Sequence, residues 1–91
     1  MVRPCIRRRV CGRPNSFYFK PAGIRMINLE ENVLTMPEFE SVRLVDFQDI
    51  EQTEACRKMN ISQPTLSRIL KSARKKIADA IINGKAIKIE S

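Results

Sequence analysis

Gln63, Thr65, Ser67 and Arg68 form a short run of hydrogen-bonding side chains, followed at Lys71, Arg74 and Lys75 by three cations. The set does not suit acid–base or nucleophilic catalysis, because the chain has no histidine and its scattered carboxylates suggest no catalytic pair. It does suit a polyanion. Gln pairs with adenine and Arg with guanine through two hydrogen bonds, each good pair discriminating by about 1 to 3 kcal/mol. Cations further along bind phosphates, which sets register and affinity without carrying sequence. The plainer reading of the same residues is a solvated helix face, the ordinary state of polar side chains opposite an apolar stripe.

The elements that must present these residues are legible on either side of them. In residues 51–59 Ala55, Cys56 and Met59 recur at helical spacing and predict a short helix with one buried side. Asn60 follows where the chain must turn sharply, and Asn is one of the few non-glycine residues that enter the left-handed region at modest cost. Ile61 anchors the turn, Ser62 can cap the next helix, and Pro64 fits its first turn without losing a hydrogen bond. Leu66, Ile69, Leu70, Ala73, Ile77, Ala80 and Ile81 then make one apolar stripe, stopped at Gly84. Short helix, tight turn and longer helix together predict a helix-turn-helix with its second helix in the DNA major groove.

Earlier in the chain, Thr35 and Glu38 bracket a capping box, with Pro37 tolerated in the first turn. The spacing predicts a helix from there to about Phe47, with Phe39, Val42 and Val45 on one face and Met36, Leu44 and Phe47 elsewhere, so burial on more than one side. It completes a three-helix core. Residues 85–90 alternate apolar and charged and predict a strand, which must pair with an N-terminal segment or with its counterpart in another subunit. The fold class is therefore mainly α: a three-helix core holding the helix-turn-helix, a basic extended N-terminal arm and a short C-terminal β-strand. The expected division is an arm over 1–16, a linker packing on the domain over 17–34, with one turn of helix or a short strand, and the DNA-binding domain over 35–91.

Charge is segregated along the 91 residues, whose net formal charge is +7. Residues 1–25 hold seven basic side chains and no acidic one, residues 26–61 three against eight, and residues 62–91 seven against two. This pattern fits a polyanion bound by both ends while the middle faces away. Arg7, Arg8, Arg9 and Arg13 of the arm are expected on phosphates, and Gly12-Arg13-Pro14 resembles the centre of a minor-groove AT-hook. Phe17, Tyr18 and Phe19 read as a tether packed on the domain rather than a platform for unpaired bases. Cys5, Cys11 and Cys56, with no histidine, cannot fill a four-ligand zinc site. No metal and no cofactor are expected; Cys56 reads as a buried packing residue, while oxidation or a metal site across a dimer stays open for Cys5 and Cys11. No run of apolar residues is long enough to span a bilayer and no signal segment is evident, so the expected location is cytoplasmic.

RRVCG at Arg8 to Gly12, FKPAGI at Phe19 to Ile24, LTMPEFESVRLVDF at Leu34 to Phe47 and SQPTLSRILKSARKKIADAIINGKAIKIE at Ser62 to Glu90 carry a wider likeness. The chain resembles a small prokaryotic family, uncharacterised protein family 251 or domain of unknown function 134, whose members are predicted DNA-binding proteins. Its helix-turn-helix is similar to that of region four of bacterial sigma factors. Where family members often have Gly at the turn and Ser at the start of the first motif helix, this chain has Asn60 and Glu51, and both replacements are compatible with the fold. The resemblance implies a transcriptional regulator on double-stranded DNA. It also implies a rival of another class, a protein-interaction module contacting an RNA polymerase subunit. A homodimer is a further expectation, because Ile77, Ile81, Ile82, Ile87 and Ile89 exceed what a single motif needs to cover.

Overall fold

The computed structural model describes residues 13–25 and 28–90. Arg7, Arg8, Arg9, Cys5 and Cys11 therefore lie outside the described residues. Helices start where the local chemistry allows it. Thr35 Oγ1 accepts from the Glu38 N–H at 3.2 Å and Glu38 Oε1 accepts from the Thr35 N–H at 2.9 Å, closing the capping box that opens α1 (Met36–Ser41). The helix does not run on to Phe47 in α geometry. Val42–Phe47 forms a π-helical turn, ended by a bond from the Gln48 N–H to Arg43 O, five residues back, at 3.0 Å.

That change of pitch lets the segment serve two cores. Phe39 and Val42 pack beside Leu34, Ala73 and Ile89, whereas Leu44 and Val45 pack with Ala55, Cys56, Met59 and Leu66. A uniform α-helix presents one stripe; the wider turn rotates the later residues onto a second neighbour. Burial on two sides is met by this device, but not with the expected grouping: Val45 joins Leu44, Met36 joins Phe39 and Val42, and Phe47 is exposed.

The motif helices follow as α2 (Gln52–Met59) and α3 (Gln63–Asn83). Leu66, Leu70 and Ala73 are almost fully buried. Burying a leucine is worth about 1.5 to 3 kcal/mol, more than the roughly 1 kcal/mol of a cap, so packing rather than capping holds α3 in place. Ile81 departs from the expected stripe and is 72% exposed, with Ile82 at 79%. It stands one helical step, about 100°, from buried Ala80 and at the margin of the packed arc. It lines a shallow groove together with Phe19, Lys20 and Pro21.

The C-terminal strand β3 (Ala86–Ile89) takes the first of its two expected partners. Segments 17–19 and 31–34, expected as linker, supply β1 (Tyr18–Phe19) and β2 (Glu31–Leu34), and the sheet order is β1-β3-β2. β1 runs antiparallel to β3, pairing Tyr18 with Lys88, and β2 runs parallel, pairing Glu31 with Ala86 and Leu34 with Ile89. Ile89 and Leu34 are buried against α3, so the sheet closes one side of the helical core. Phe17 and Phe19 are more open than a packed tether requires, at 37% and 52% exposed.

α3 is tied to the sheet by polar contacts as well. Asn32 Nδ2 donates to Lys76 O and to Asp79 Oδ2, both at 2.9 Å, and Lys76 Nζ donates to Val33 O at 2.8 Å. Lys85 Nζ reaches Asp79 Oδ2 at 2.9 Å. The hydrogen bond from Lys85, then those from Asn32 and Asn83, hold the Asp79 carboxyl far below its ordinary value.

Candidate nucleic-acid interface

The turn between α2 and α3 is built as the residue types require. Asn60 adopts φ 59° and ψ 45°, the left-handed region. The Asn60 N–H donates to Arg57 O and the Ile61 N–H to Cys56 O, each at 3.0 Å, which is the Schellman closure of a helix end. Ile61 then packs on the cluster containing Cys56, Met59 and Leu66. Glu51 stands at the N-cap of α2 but makes no side-chain cap bond, so it acts there only through its charge near the helix dipole. Cys56 is a buried thiol donating to Thr53 O at 3.3 Å, in keeping with a packing role.

At the start of α3, Ser62 Oγ accepts from the Thr65 N–H at 3.2 Å and its hydroxyl donates to Thr65 Oγ1 at 2.8 Å. The Thr65 hydroxyl is thereby turned toward the cap and its side chain is half-buried, which separates it from the other three residues expected to read bases. Gln63, Ser67 and Arg68 are exposed. So are Lys71 and Lys75. Lys71, Arg68 and Lys75 fall at the three- and four-residue steps that put side chains on one face.

Charge pairing divides the cations. Arg43, Arg57, Arg74, Lys76 and Lys85 each form an ion pair. Arg68, Lys71 and Lys75 form none with the described residues. Arg74, expected on a phosphate, is held by Asp46: Nε to Oδ2 at 3.1 Å and Nη2 to Oδ1 at 2.6 Å. The hydrogen bond to Asp46, outweighing partial desolvation, raises the Arg74 guanidinium above its ordinary value. Arg13 is exposed, at the rim of an open apolar groove of about 660 Å³ floored by Phe39, Val42, Ile77 and Ile87, with Phe47 79% exposed beside it.

Behind this face lies a polar cluster that sequence reasoning did not single out. Glu38 is buried and accepts from Ser72 Oγ at 2.5 Å and from Lys76 Nζ at 2.8 Å, besides the Thr35 N–H. Burial pushes its carboxyl up, but the hydrogen bonds from Lys76, Ser72 and Thr35 prevail and hold it below the ordinary value. Only the capping box betrayed Glu38 in advance. Ser72 and Lys76, four residues apart on the flank of α3, gave no sign of whom they would meet. Among the described residues no group of three or more Cys, Asp or Glu side chains is placed to hold a metal ion. No described helix is long and apolar enough to cross a membrane.

The family model for the protein of unknown function DUF134 matches residues 1–91. The chain belongs to the DUF134 family. A UPF0251 protein of Caldanaerobacter subterraneus subsp. tengcongensis is 51% identical over 90 residues, covering 99% of this chain and 76% of the relative. One of Dehalococcoides mccartyi is 52% identical over 90 residues, covering 99% and 77%. One of Moorella thermoacetica is 50% identical over 90 residues, with 99% of this DUF134 chain and 60% of the relative covered. No solved structure gives a significant match.

Proposed function

We propose that this DUF134 protein binds double-stranded DNA in a sequence-specific manner and acts as a transcriptional regulator in the cytoplasm. The observation that carries the reading is the outer face of α3: Arg68, Lys71 and Lys75 are exposed and free of ion pairs with described residues, while Arg74 and Lys76 on the same helix are paired. An unpaired basic face on the second helix of a helix-turn-helix is what a phosphate-lined groove attracts. Gln63, Ser67 and Arg68 at its N-terminal end read base edges, with Thr65 supporting the cap. Lys71 and Lys75 grip phosphates, and Arg7, Arg8, Arg9 and Arg13 extend the grip along the backbone. Two subunits on half-sites about 34 Å apart would supply specificity that one short helix lacks.

Selection from a random duplex pool, followed by titration of Arg68→Ala and Lys71→Ala on the selected site, tests this. Arg68→Ala should relax preference at one position and cost about 1 to 3 kcal/mol there. Lys71→Ala should weaken all duplexes alike and reduce the salt slope by about one. Wild-type behaviour in both variants would remove the assignment of this face.

A second reading, a protein-interaction module that docks on a polymerase subunit, is favoured by the exposed Phe47 and the groove beside it. Tight binding to a transcription protein by a chain with no affinity for duplex DNA would select it.

A further inference from the structure

Arg74 is the one expected phosphate contact on α3 that the fold has already engaged. A guanidinium carries five N–H donors in a plane, and Asp46 occupies one from Nε and one from Nη2. The outer fork, made by Nη1 and the second Nη2 hydrogen, has no partner among the described residues. Arg74 lies eleven residues after Gln63, close to three whole turns, so the two share one side of α3 about 16 Å apart. Ser67 and Lys71 lie between them. Asp46 itself is firmly carried, because it sits in the π-helical turn two residues after Leu44, which is 3% exposed.

We propose that Asp46 is a positioning residue for DNA, fixing Arg74 so that its open fork meets a backbone phosphate beside the groove that α3 enters. This rests on the DNA-binding reading. A free arginine would lose rotamer freedom on docking, and here that freedom is lost in advance. The carboxylate is repelled by nearby phosphates, but the guanidinium stands between them. Two opposed effects are therefore at work, and the sign of an Asp46 substitution tells which one governs.

The test measures wild type, Asp46→Asn, Arg74→Ala and the double variant on a duplex selected by the wild-type protein, at several salt concentrations, with thermal melting of each. Positioning predicts that Asp46→Asn weakens binding by roughly fivefold although it removes a negative charge. Arg74→Ala should weaken binding at least as much and reduce the salt slope by about one. The double variant should match Arg74→Ala, since Asp46 acts only through its partner. Melting should shift little, because the pair is half exposed. Binding by Asp46→Asn as tight as wild type or tighter would overturn the proposal while leaving DNA binding intact. So would a loss that persists without Arg74, or one accompanied by a large drop in melting temperature. Failure of the wild type to bind any duplex would overturn both readings.

Discussion

Asn60 sets the angle at which the motif presents its second helix, and it does so from a backbone conformation with φ 59°. A residue with a Cβ and no local hydrogen-bonding group costs about 1 to 2 kcal/mol in that region. Asn60→Ala should therefore lose about 1 kcal/mol and lower the melting temperature by about 4 to 8 °C. Asn60→Gly should melt close to wild type, and differential scanning calorimetry on the three chains reads the contrast. A drop for glycine as large as that for alanine would show that the Asn side chain, not the backbone region, matters. At this scale the sequence was readable because each signal is local. Asn60, Ser62, Gly84 and the Thr35/Glu38 box act on backbone within four residues of themselves. What spacing did not show is the Asp46 partner of Arg74, because it lies 28 residues away, and no spacing rule reports a contact between separate elements.

The Glu38 cluster fastens α1 to α3, and it makes the mutual placement of these elements sensitive to acid. Glu38 and Asp79 both have folded-state carboxyls held below their ordinary values. The unfolded chain therefore binds protons more readily than the folded one as pH falls, and the stability these groups supply is complete above the ordinary carboxylate range. It is lost as pH drops below about 4, through the depressed folded values. Urea titrations between pH 7 and 2 should show this slope, and Glu38→Gln should flatten the Glu38 part while costing about 1 to 3 kcal/mol at neutral pH. An unchanged slope in Glu38→Gln would exclude the cluster as its source. The helices themselves were legible from apolar spacing and caps. The π-helical turn at Val42–Phe47 was not, because it answers to two packing partners at once. β1 was hidden by its two-residue length, and β2 takes the short strand allowed for in the linker, where Glu31 and Asn32 left a turn of helix open as well.

At the scale of the molecule the division of charge along the chain is bridged by contacts in space. The acidic middle does not simply turn away from the basic C-terminal half, since Glu38 and Asp46 cross over to Lys76 and Arg74 on α3. What remains unpaired on α3 is thereby concentrated at Arg68, Lys71 and Lys75. The sheet shows a similar economy at its border. The ladder bonds from the Ala86 and Glu90 N–H groups go to the carbonyls of Glu30 and Leu34, so the Val33 carbonyl between them faces away from β3, along the outer side of β2. Lys76 Nζ meets that carbonyl at 2.8 Å. An open strand border is a template on which a strand from another molecule can grow. Lys76 thus covers one acceptor on that border. Lys76→Met combined with Glu38→Gln, which leaves no lone buried carboxylate, should fold, judged by circular dichroism, yet seed thioflavin-positive fibrils well below its melting temperature, where the wild-type chain stays dispersed.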